Sequence, residues 1–100
     1  MELNLIKEQK KAKLTIEGSL SIYEVDGFYQ ELQSAFDGTD EVIVDLSKAE
    51  SCDTASFQIL VSAGKSAKEK NIKFKLENPQ EQFIQLVNMI GCDWQALNIN

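Results

Sequence analysis

The sequence predicts an α/β fold: a mixed, mostly parallel sheet of four to five strands with its helices on one face. Three observations carry that expectation. Short apolar or alternating segments take turns with segments of helical spacing, in the order β-β-α-β-α-β-α with room for a short final strand. Val42-Ile43-Val44 is continuously apolar, as in a central strand covered on both faces. Strands separated by helices pair in parallel through right-handed crossovers.

Each element has its own signal. Leu3, Leu5 and, less regularly, Ile6 mark a first strand, and Lys10-Lys11 a turn. Ala12, Leu14 and Ile16 alternate with polar residues, which predicts a half-buried second strand in a hairpin, ended by Gly18. Ser21-Ile22-Tyr23-Glu24 has the Ser-x-x-Glu spacing of a capping box. The buried stripe of the helix it opens is Val25, Phe28, Tyr29, Leu32, Ala35 and Phe36, with Gly38 as the stop. After Val42-Ile43-Val44 comes a polar stretch, and then a helix from about Thr54 to Lys70. Its stripe is Phe57, Leu60, Val61, Gly64 and Ala67, with Ile59 and Ala63 as further apolar surface. Ile72, Phe74 and Leu76 alternate with Lys73, Lys75 and Glu77, as in a strand with one exposed face. Asn78-Pro79-Gln80-Glu81 reads as cap, first turn and acidic third position of a last helix, striped by Phe83, Leu86, Val87 and Ile90. Leu97 and Ile99 suit a short final strand, and Trp94 a lid on the core or an interface anchor.

Residues 1–100 are expected to form a single domain, with a core that needs no staples. At 43% hydrophobic and 26% charged residues the composition is that of an ordinary globular domain. No apolar run approaches the ~20 residues of a membrane span, and the first residues lack a signal-peptide pattern, so a cytoplasmic location is expected. Cys52 and Cys92 then read as buried thiols. The chain contains neither histidine nor arginine. The usual neutral-pH base and the usual bidentate phosphate clamp are therefore both missing. A net charge of −6 argues against nucleic acid. Asp45, Glu50 and Asp53 cluster near one strand end, but acids there are common without metal, and neither a metal nor a cofactor is expected.

The most informative stretch is residues 45–56, Asp-Leu-Ser-Lys-Ala-Glu-Ser-Cys-Asp-Thr-Ala-Ser. It joins a strand to a helix N-terminus, where the first backbone N–H groups lack partners and the dipole favours negative charge. Thr54 is expected in the first turn with its hydroxyl partly exposed, able to cap the helix, meet a partner or accept a phosphate. Asp53 either assists phosphorylation or serves as a second capping carboxylate. Residues 18–22 also follow a strand, so they and 45–56 should share one rim of the sheet.

In the order of its motifs the chain resembles the STAS domain family, the fold of bacterial anti-sigma-factor antagonists, over essentially all of its length. The residues that carry the resemblance are Gly18-Ser19-Leu20, Val42-Ile43-Val44-Asp45-Leu46-Ser47, Cys52-Asp53-Thr54-Ala55-Ser56, Asn78-Pro79 and Met89-Ile90-Gly91. The resemblance implies a non-enzymatic signalling module that works by protein–protein contact. In sigma-factor control a kinase phosphorylates the hydroxyl residue after the second motif Asp and so breaks the antagonist–kinase complex. In this sequence that position is Thr54. Other members are subunits of a lipid-trafficking ABC transporter or belong to chemotaxis-linked assemblies. The implied partner is thus an anti-sigma-factor-like kinase, a transporter ATPase or a signalling protein.

The expected partner surface is Ser21, Ser51, Asp53, Thr54, Ala55, Ser56, Ile59 and Ala63, with Ser21 also read as the capping-box residue and Ile59 and Ala63 also as helix packing. Two departures from the family pattern stand out. Gly18-Ser19-Leu20-Ser21 replaces the frequent Gly-Glu-Leu-Asp, and Ser56 stands where Gly is usual. The threonine-type motif is closer to the transporter and chemotaxis branches.

Overall fold

A computed structural model describes the backbone of residues 2–20 and 25–90; the side chains of residues 20, 25, 51, 52, 54, 86, 87 and 90 lie outside the description. Strand β1 (Glu2–Glu8) and strand β2 (Lys11–Leu20) form an antiparallel hairpin. Gln9 and Lys10 join them, both at positive φ (48° and 69°), the combination that matches a two-residue turn to the twist of the strands. The turn is thus one residue earlier than the Lys10-Lys11 position expected from the sequence. Helix α1 (Val25–Phe36) follows and stops short of Gly38, whose φ is +72°. Strand β3 (Glu41–Cys52) leads into helix α2 (Thr54–Glu69), then strand β4 (Lys73–Glu77) and helix α3 (Glu81–Ile90). The sheet order is β1-β2-β3-β4, antiparallel at the hairpin and parallel from β2 to β4.

Register explains why the helices lie on one side. Ala12, Leu14, Val42, Val44, Phe74 and Leu76 sit opposite one another on one face and are buried. They join Phe28, Leu32, Phe57, Leu60 and Phe83 of the helices in a single core. Each such aliphatic or aromatic side chain contributes about 1.5–3 kcal/mol on burial. Two ring contacts tie the layers together: Phe36 on Phe74 (centroids 5.8 Å apart) and Phe57 on Phe83 (5.6 Å). The opposite face carries Glu8, Lys11, Lys13, Glu41, Lys75 and Glu77. No described helix covers that face. Ile43 lies there only 7% exposed, among the stems of its charged neighbours.

Four expectations need correction. Tyr29 is 53% exposed and does not belong to the buried stripe of α1; it sits at the edge of that stripe, facing solvent beside α2. Gly18 does not end β2: at φ +89° it sits at an irregularity, beyond which pairing resumes through Leu20. The polar stretch after Val44 is mostly strand, because β3 continues to Cys52 by pairing with the extended end of β2. Asn78 does not cap α3. It adopts φ +56°, and the Phe83 and Ile84 N–H groups donate to Gln80 O instead. The expectations for Ser21–Glu24 and for Cys92, Trp94, Leu97 and Ile99 lie outside the described residues.

Candidate functional site: the strand ends and the start of helix α2

β3 gains extra residues over β2 at two points. Thr15 pairs with Asp45 and Glu17 with Lys48; Gly18 pairs with Ala49 and Ser19 with Ser51. These irregularities twist and re-aim the strand, and such bulges recur at sheet rims beside functional sites. They bring residues 18–20 against 49–52, so both segments share the carboxyl-end rim.

Asp53 makes the turn from β3 into α2. Its backbone is extended (φ −85°, ψ 170°), and its Oδ1 accepts the Ser56 N–H at 2.8 Å. Its carbonyl accepts the Phe57 N–H at 3.0 Å, the first bond of the helix. Asp53, not Thr54, is therefore the N-cap. A carboxylate outperforms a β-branched hydroxyl there, worth roughly 1 kcal/mol over alanine, and its charge suits the positive helix end. Thr54 is the first helical residue, freed of the capping task. The Thr54 and Ser51 side chains and all of Ser21 lie outside the described residues.

Of the other expected contact residues, Asp53, Ala55 and Ile59 are half-buried. Two are buried. Ser56 is 0% exposed and Ala63 8%, because both point from α2 into the core. Ala63 and Ile59 border a groove of about 340 Å³ between α1 and α2, lined also by Tyr29, Leu32, Gln58 and Ser62. Among the described residues the Ser56 hydroxyl has no hydrogen-bond partner. An unsatisfied buried hydroxyl costs about 1–3 kcal/mol. Ser56→Ala is therefore expected to raise stability by about 1 kcal/mol or more, read as a higher denaturation midpoint; a lower midpoint would contradict the orphaned hydroxyl.

A network that sequence reasoning missed fixes the same rim from below. Asp45 is 8% exposed. Its Oδ1 accepts the Ser47 N–H at 3.0 Å and the Asn78 Nδ2–H at 3.4 Å, and Lys13 Nζ lies 3.8 Å from Oδ2. Gln80 Nε2 donates to Ser47 O at 2.8 Å. The Asp-Leu-Ser motif thus pins the β4–α3 connection onto β3. Burial raises the Asp45 pKa, but the hydrogen bonds from Ser47 and Asn78 and the Lys13 charge outweigh it and hold the carboxyl below the usual range. Because the folded value is the lower one, the stabilisation is complete above the unfolded pKa of about 3.9 and is lost as pH falls through the folded value. Asp45→Ala should cost about 1–3 kcal/mol at neutral pH and flatten the loss of stability below about pH 4. Denaturant titrations at both pH values check this.

Among the described residues no cluster of metal-ligating side chains occurs, and no helix is long and apolar enough to cross a membrane. The nearest lysine on β3, Lys48, is engaged with Glu17 at 3.3 Å.

Strand ends of a mixed sheet, bulged against each other and delivering an Asp-Thr pair to a helix start, define a fold shared with known proteins. The family model described as "Mlab, STAS domain" matches residues 4–97, and the chain belongs to the STAS domain family. No curated protein matches it in sequence. The structure is similar to the unphosphorylated anti-sigma factor antagonist SpoIIAA (TM-score 0.76, 12% identity, 99% of this chain and 87% of that one). It is also similar to RsbS from Moorella thermoacetica (TM-score 0.80, 17% identity, 100% and 86%). An anti-sigma factor antagonist from Mycobacterium paratuberculosis superimposes as well (TM-score 0.80, 13% identity, 98% and 83%). At these identities the likeness is one of fold.

Proposed function

We propose that the chain is a non-enzymatic regulatory module of the partner-switch kind, with Thr54 as its phospho-acceptor and the rim around Asp53, Thr54 and Ala55 as its contact surface. One observation supports this above all: Asp53 takes the capping role at the start of α2, so the cap of this helix does not draw on Thr54. SpoIIAA, of the same fold, has been solved in phosphorylated and unphosphorylated forms. A phosphate on Thr54 would add about −1.5 to −2 charge. It would arrive beside Asp53, on a chain already at −6. A partner docked on the rim would be repelled, or left facing an unpaired charge.

Peptide mapping by mass spectrometry of protein from its native host tests the assignment. Phosphate is expected on Thr54 and not on Ser21, Ser47, Ser51 or Ser56. Phosphate confined to one of those serines refutes it.

A second reading has its own support. The matching family model is the Mlab one, and the acids that often precede the first helix are missing around Gly18-Ser19-Leu20-Ser21. In this reading the chain is a constitutive small subunit of a lipid-trafficking transporter or a chemotaxis-linked assembly. Its rim is buried permanently, and Thr54 carries no phosphate.

A further inference from the structure

The face of the sheet that no described helix covers has a charge gradient along its strands. Toward one end lie Lys11, Lys13, Lys73 and Lys75, with Glu8 and Glu41 among them. Toward the other lie Asp45, Glu77, Glu17 and Glu2, where Lys48 pairs with Glu17 and Lys13 reaches Asp45. Ile6, 53% exposed, and Ile43, 7% exposed, flank Lys13 in one row of this face and line an open hollow of about 380 Å³. A cationic pole and an acidic pole on one flat face are complementary to the same face turned end for end.

We propose that this face is the contact surface of a homodimer, in which two copies stack their open sheets about a two-fold axis running across the strands. Such a contact is isologous, so every attractive pair occurs twice. With the axis between the row of Lys13, Ile43 and Lys75 and the row of Thr15, Asp45 and Glu77, the register fixes what meets. Lys11 lies over Glu17 of the second copy, Glu41 over Lys48, and Lys75 over Glu77. Only Glu2 and Glu8, at the edge strand, meet as like charges. Long side chains carry these charges: Lys11 is 56% exposed, Lys13 49% and Lys48 64%. They can reach across the roughly 10 Å that separates stacked sheets. The helix layer and the rim at Thr54 stay free, so the dimer neither requires nor blocks the partner contact proposed above.

The overall charge of −6 repels a second copy, so the attraction must come from this face. Four strands about 4.8 Å apart make a small interface, at the low end of the range for specific complexes. The association is therefore concentration-dependent and sensitive to salt.

Light scattering and sedimentation of the full chain test it. At about 0.05 M salt the mass should rise with concentration toward twice the 11.2 kDa of one chain. At about 1 M, where the Debye length is about 3 Å, it should fall back. A double variant Lys11→Glu/Lys75→Glu and its reciprocal Glu17→Lys/Glu77→Lys should each be monomeric with native circular dichroism. Each should weaken self-association at least tenfold. An equal mixture of the two should form a mixed dimer, because one copy then offers two acidic poles and the other two basic ones. A wild-type chain that stays monomeric up to about 1 mM overturns the proposal. So does a dimer that neither variant disturbs, or a mixture of reciprocal variants that stays monomeric.

Discussion

Phe57→Ala is expected to cost about 3–5 kcal/mol of stability, the largest single loss within reach of the candidate site. Phe57 is fully buried one turn into α2, and its ring lies 5.6 Å from that of Phe83 in α3. Removing it forfeits the transfer energy of a whole ring and opens a cavity between two helices and the sheet. The surrounding Leu60, Leu76 and Phe83 stand on separate elements and cannot all close in. Domains of this size hold about 5–15 kcal/mol in total, so the variant approaches the limit of folding. Chemical denaturation should show a lower midpoint with an unchanged slope, and the melting temperature should fall by roughly 4–8 °C per kcal/mol. A loss below about 1 kcal/mol would mean that α2 is not anchored through this ring.

Thr54→Glu carries the largest expected effect on binding, at least a tenfold weakening of the partner complex, or about 1.4 kcal/mol, with little change in folding stability. The two halves have different causes. A carboxylate in the first turn of a helix interacts favourably with the dipole, by about 0.3–1 kcal/mol. Asp53 already occupies the cap, so the new charge gains part of that and loses part to repulsion. Folding is therefore close to neutral. Docking is not. Lys48, the nearest lysine on β3, pairs with Glu17. A partner that covers the rim must then desolvate the new carboxylate, at a cost unless it brings its own cation. Asp53→Ala should show the inverse pattern: about 1 kcal/mol of stability lost with the cap, and a smaller effect on binding.

Much of this architecture was legible because local and long-range signals agree. The start of α2 follows from an Asp at the strand exit and apolar residues at helical spacing; the observed helix, Thr54–Glu69 with Lys70 as C-cap, lies within a residue of the expected span. The alternation of Ile72, Phe74 and Leu76 gave β4 and its buried face. The extension of β3 to Cys52 was not legible. Its two irregularities break the alternation of Ser47-Lys48-Ala49-Glu50, and only the partner strand reveals the pairing. Asn78 looked like a cap because Pro follows it. Its side chain is instead held by Asp45, a contact across 33 positions that no local pattern announces. Which of two neighbouring hydroxyl-or-acid residues caps α2 was also beyond the sequence, since Asp53 and Thr54 are both good caps and backbone geometry decides. Ser56 was expected at a partner surface as part of the motif around Thr54, and Ala63 as part of an apolar patch with Ile59. Their positions on the helix turn them inward.

The central claim is that charge placed on Thr54 governs partner binding. The most direct measurement is calorimetric titration of the partner recovered from native-host lysate, with two preparations of this chain: unmodified, and phosphorylated at Thr54 alone. The partner-switch account predicts at least a tenfold weaker affinity for the phosphorylated chain, with both preparations melting within a few degrees of each other. Equal affinities for the two would contradict it.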